Sequence, residues 1–101
     1  MERTELINSV QETFNECMEI LRAKQHDYAT KEDALQNFRY AELVSVGPQK
    51  AVLVRIAEKL SRVSNLLDQE EAVKDEKIED TIRDMVNYMA ILKAMLEEKR
   101  K

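Results

Sequence analysis

Two groups of residues have the types and spacing to do chemistry. On a helix expected from Ile78 to the C-terminus, Asp80, Asp84 and Asn87 share one face; on the helix before it, Arg55, Glu58, Arg62 and Asn65 recur at steps of three, four and three. Carboxylates one helical turn apart repel unless a cation or an arginine stands between them. Magnesium accepts such oxygens, keeping several waters and completing its octahedron with ligand phosphates. A row bearing arginines can grip a phosphate through charge-assisted hydrogen bonds. Plainer readings exist for both groups. Arg55, Glu58 and Arg62 can form solvated ion pairs of only ~0.3–0.5 kcal/mol each, and Asp80 can offset a helix dipole. The dipole accounts less well for Asp84, which lies beyond the first turn.

A third group, Lys24-Gln25-His26-Asp27-Tyr28, sets a cation, an imidazole, an acid and an aromatic ring within one short stretch, a mixture able to stack on a base and touch a phosphate. Here too a structural role competes: a histidine that satisfies hydrogen bonds and a tyrosine that closes the end of a core. His26 is the only histidine and Gly47 the only glycine, which excludes a two-histidine metal site and a glycine-rich phosphate loop. The candidate set is therefore Arg55, Lys59 and Arg62 for phosphate, His26, Tyr28 and Asn65 for base or sugar, and Glu58, Asp80 and Asp84 for Mg2+, the one cofactor the pattern invites.

The elements that must position these residues are helices. The chain has 101 residues, 44% hydrophobic and 36% charged, with one Gly and one Pro, the balance of a single helical domain with thin connections. Leu6, Ile7, Val10, Phe14, Cys17, Met18 and Leu21 trace a first helix from about Thr4 to Lys24, with a loop expected at Gln25 to Tyr28. Thr30 or Asp33 would cap a short second helix carrying Ala34, Leu35, Phe38 and Ala41. Gly47 suits a left-handed termination and Pro48 a first helical turn. The third helix then carries Leu53, Ile56, Leu60, Val63 and Leu67 at heptad-like spacing, with Val52, Val54 and Leu66 off that stripe. A charged connection leads to the fourth helix, whose stripe is Ile78, Ile82, Met85, Met89, Leu92 and Leu96.

The spacing predicts an all-α fold: a compact bundle of about four helices, the long third and fourth antiparallel, the first alongside and the second bridging. So small a domain cannot cover every apolar side of the third helix, and Val52, Val54 and Leu66 point to a homo-oligomer. A net charge of −4 argues against general nucleic-acid binding or an anionic membrane surface. One cysteine, and a start on charged residues with no apolar run behind, fit a cytoplasmic protein without a signal or a membrane span.

With those residues in view, the chain resembles the first type of nucleotide-modification-associated domain, a family of short, mostly phage-encoded helical proteins. The likeness runs through Lys24-Gln25-His26-Asp27-Tyr28-Ala29 and Asp33-Ala34-Leu35-Gln36-Asn37-Phe38. It continues in Val52-Leu53-Val54-Arg55-Ile56-Ala57-Glu58-Lys59-Leu60-Ser61-Arg62-Val63-Ser64-Asn65-Leu66-Leu67 and in Val73-Lys74-Asp75-Glu76-Lys77-Ile78-Glu79-Asp80-Thr81-Ile82-Arg83-Asp84-Met85-Val86-Asn87-Tyr88. It implies a phage protein, in the cytoplasm of the infected cell, associated with nucleotides or modified DNA. More loosely, the chain is similar to MazG-type all-α NTP pyrophosphatases, which hold magnesium and substrate phosphates on facing acidic helices. It departs from their pattern in offering only Glu58 on the third helix, and Asp80 and Asp84 four apart on the fourth. Three functions stand side by side: a binder that sequesters a phosphate-bearing nucleotide, such as a host immune signal; a magnesium-dependent nucleotide pyrophosphohydrolase; and a protein-interaction module.

Overall fold

The computed structural model describes residues 1–28, 34–69 and 77–100, without the side chains of 26–28. Its elements are α1 (Arg3–Tyr28), α2 (Gln36–Arg39), a 3-10 helix (Tyr40–Val44), α3 (Pro48–Leu67) and α4 (Lys77–Arg100). The fold is an all-helical bundle, with no strand among the described residues. Thr30, Asp33 and most of the charged connection fall outside them.

Helix α4 is the axis of the bundle. It packs along α3 most extensively and along α1 next, while α2 and the 3-10 helix lie on α3. Pro48 and Gln49, at the start of α3, stand beside Met95, Glu98 and Lys99 near the end of α4, so the two long helices run antiparallel. An Arg39–Glu98 ion pair at 2.5 Å joins the end of α2 to α4. Acidic Glu79 and Asp80 in the first turn of α4, and basic Lys99 and Arg100 in its last, each suit the helix dipole. No described helix is long and apolar enough to cross a membrane.

Several expectations change. Helix α1 continues through His26 and Asp27 to Tyr28, so the expected loop is its last turns; the propensity penalty of two such residues, under about 1 kcal/mol each, is too small to stop a long helix. The left-handed residue before α3 is Ser45 (φ 62°), not Gly47, which is extended at φ −66°, ψ 149° and precedes Pro48 at the first helical position. Ser45 N–H donates to the Glu42 carbonyl and Val46 N–H to the Ala41 carbonyl, the paired bonds that close a helix through a left-handed residue.

The apolar stripes are divided rather than wholly buried. The described apolar core consists of Cys17, Val52, Ile78 and Met95. Cys17 is the small core residue expected of it, and burial pushes its thiol pKa up. Val52, read as available to a partner, is completely buried, while Ile82, Met89 and Leu96 of the α4 stripe are exposed. The radius of gyration is 15.5 Å, against about 13 Å for a compact chain of this length.

Ser45 carries a Cβ in a conformation that glycine adopts freely. Ser45→Gly should therefore raise the unfolding free energy by about 0.5–1 kcal/mol. Urea melts of the two proteins check this; an unchanged or lower midpoint would mean the serine is not strained there.

Candidate functional site

Where α1, α2, α3 and α4 meet, a cleft of about 540 Å³ opens. Leu21, Lys24 and Gln25 come from the late turns of α1, Asn37 and Phe38 from α2, Arg55 from α3, and Asp84, Asn87, Tyr88 and Ile91 from α4. Helical periodicity puts them together: Asp84, Asn87, Tyr88 and Ile91 step by three, one and three along one side of α4. Phe38 and Tyr88 meet edge to face, ring centroids 6.3 Å apart at 83°, joining α2 to α4.

The cleft is anchored by polar contacts between α1 and α4. Asn87 is buried, and its side-chain amide donates to the Cys17 carbonyl at 3.0 Å. The Cys17 thiol in turn lies 3.6 Å from the Arg83 carbonyl. Arg83 reaches Glu16 across the helix boundary, and Asp80 at 3.0 Å and Glu79 at 3.4 Å along its own helix. A buried amide with its donor satisfied fixes the register of the two helices, because sliding by one turn would strand it.

Asp84 receives Lys24 of α1 at 3.1 Å and Lys59 of α3 at 3.2 Å, one ammonium on each oxygen. Burial pushes its carboxyl pKa up, but hydrogen bonds and attraction from Lys24 and Lys59 outweigh that, leaving it below the ordinary carboxylate value. Arg55 lines the same cleft with no carboxylate partner among the described residues. Among the described residues at the cleft, the cations Lys24, Arg55 and Lys59 outnumber the one carboxylate, Asp84, in a chain of net negative charge.

The expected residues are brought together only in part. Arg55 and Asp84 line the cleft and Lys59 adjoins it through Asp84, whereas Arg62 and Asn65, exposed further along α3, are not among its lining residues. The backbone of His26 and Tyr28 continues α1 just beyond Gln25; their side chains are outside the described set. Neither the Arg55–Glu58 nor the Glu58–Arg62 ion pair forms among the described residues. Glu58 is exposed, Asp80 pairs with Arg83, and Asp84 pairs with Lys24 and Lys59. No group of three or more His, Cys, Asp or Glu side chains able to hold a metal stands together among the described residues. Phe38, Tyr88 and Asn37 are not among the site residues expected from the sequence, although Phe38 and Asn37 adjoin each other and Tyr88 follows Asn87.

The depressed Asp84 carboxyl stabilises the fold above its unfolded pKa, and this stabilisation is lost as pH falls through the lower folded value. Asp84→Asn should cost about 1–2 kcal/mol at pH 7. The deficit should shrink as pH falls below about 3.9, where wild type also begins to lose the charge. Urea titrations of both proteins at a series of pH values measure it; a deficit independent of pH would remove the ion pairs as its cause.

No protein-family model, curated protein or solved structure matches this chain.

Proposed function

We propose that this chain binds a phosphate-bearing nucleotide in the cleft between α1 and the α3–α4 pair. One observation carries the reading: a single cavity is lined by two aromatic rings, three carboxamides and the cations Lys24 and Arg55. Its volume of about 540 Å³ suits a small-molecule site, for which roughly 300–1,000 Å³ is usual. Phe38 and Tyr88 offer π-faces to a base, Gln25, Asn37 and Asn87 offer amide groups to its edge, and Lys24, Arg55 and Lys59 answer the phosphate. His26 and Tyr28, next along α1, are candidates for the sugar or base; Arg62 and Asn65 would at most meet a ligand extending beyond the cleft along α3. The resemblance to the phage nucleotide-modification-associated family supports the same ligand class. In that setting the role is sequestration of a nucleotide signal of the host's immune system.

Asp84 separates binding from metal-dependent hydrolysis. In the binding reading it competes with phosphate for Lys24 and Lys59, so Asp84→Asn should tighten nucleotide binding by about three- to tenfold, with or without magnesium. A magnesium site on Glu58, Asp80 and Asp84 would make the same change weaken binding and abolish any turnover. Arg55→Ala should weaken binding by roughly 1.5–3 kcal/mol, while Arg62→Ala changes it little. Calorimetry against linear and cyclic nucleotides, in magnesium and in chelator, gives the affinities, and chromatography of recovered ligand shows whether it is intact. Affinity unmoved by Arg55→Ala, or no binding across the panel, would reject the cleft as a nucleotide site and leave a protein-interaction role.

A further inference from the structure

The face of the α3–α4 pair turned away from the cleft is apolar and uncovered. Along α3, Leu53, Leu60 and Leu67 recur every seven residues at 44%, 57% and 60% exposure; along α4, Ile82, Met89 and Leu96 do so at 41%, 54% and 41%. At about 100° of turn per residue, each triad lies about 140° round its helix from the cleft-lining Arg55 or Asp84. Half-buried Ile56 and Val63 on α3, and Met85 and Leu92 on α4, fall between cleft side and triad, on the arc through which two packed helices can face each other. In an antiparallel pair, turning in the same sense through the mutual contact leads to the same side on both helices. The two triads therefore adjoin in one face.

Charge and area indicate what covers it. On α3, Arg55, Glu58, Lys59 and Arg62 all fall within an arc of about 100° on the cleft side, whereas exposed Ala57, Ser61 and Ser64 beyond the leucines are uncharged and Lys50 carries charge at that side's N-terminal end; on α4, exposed Glu79, Lys93 and Glu97 border the triad. Large apolar side chains in a strip bordered by charge have the anatomy of an interface, an apolar core with a polar rim. The chain exposes 8007 Å², roughly 2,000 Å² more than a compact monomer of its mass. A stable pairwise interface removes about 1,200–2,000 Å² in total, so the surplus is ample. A seven-residue repeat on two antiparallel helices also complements itself across a two-fold axis.

We infer that this face joins two copies of the chain, their α3–α4 pairs packed against each other as a four-helix layer and their clefts opening on opposite outer sides. The inference is independent of what the cleft binds. Sedimentation velocity over a micromolar concentration series should show a dimer. Leu60→Glu and Met89→Glu should each raise its dissociation constant at least about thirty-fold while circular dichroism retains the helical signal; Arg62→Glu, on the cleft side, should leave it unchanged. Should a glutamate variant unfold, Leu60→Cys provides the test by another route. The native thiol of Cys17 is buried, so thiol cross-linking should then yield a covalent dimer that the parent chain does not. A wild type that stays monomeric throughout the series would overturn the inference. So would a dimer that survives both glutamate variants but dissociates on Phe14→Glu, which would assign the contact to the apolar stripe of α1.

Discussion

The circumference of α4 is the constraint on which the structure depends. One straight helix of 24 residues has to meet α1 through Arg83 and Asn87, α3 through Met85 and Leu92, and the cleft through Asp84, Tyr88 and Ile91. Each contact takes roughly a third of a turn at most, because side chains one residue apart diverge by about 100°. Ile82, Met89 and Leu96 take the remaining arc and are exposed there. The modest core follows from the same geometry, since two long helices leaning on one axis enclose little between them.

Within that geometry, Asp84 decides the electrical character of the cleft. Burial alone would raise the pKa of this carboxyl; two ammonium groups from two other helices hold it below the ordinary carboxylate value instead. The ion pairs are partly exposed and individually weak, so their larger effect is placement. They hold Lys24 and Lys59 on Asp84, at the cleft that Arg55 also lines. The packing that holds the helices together is supplied nearby by Val52 and Met95 and by the Asn87–Cys17 hydrogen bond.

Much of this was legible in the sequence. The four helical segments followed from periodic apolar residues, and the start of α3 from Gly47-Pro48. What periodicity cannot say is which part of a broad stripe meets which neighbour: Ile78 is buried and Ile82 exposed on the same stripe of α4. The acidic pair shows the same limit at the site. Asp80 and Asp84 are one turn apart and look equivalent, yet Asp80 lies where only its own helix offers a partner and Asp84 where two other helices arrive. Phe38 and Tyr88 are fifty positions apart, and no local pattern joins them. The Ser45 turn was hidden because a serine in the left-handed region is held there by the bonds of its neighbours rather than by its own preference.

The distribution of charge around α3 links the two faces of the hairpin. A solitary helical pair would gain solubility from charges on its outer side, and replacing Ser61 or Ser64 by lysine or glutamate would improve helix propensity as well. Instead the charged residues between Val52 and Leu67 crowd onto the side where α1 and α2 arrive, although some of them, Glu58 and Arg62, find no partner there among the described residues. Folding of one chain favours neither choice: it gains nothing from unpaired charges crowded together, or from leucines left in water. A cationic cleft on one side and a second copy on the other would explain both, and would let each protomer hold its ligand without disturbing the contact that joins it to its partner.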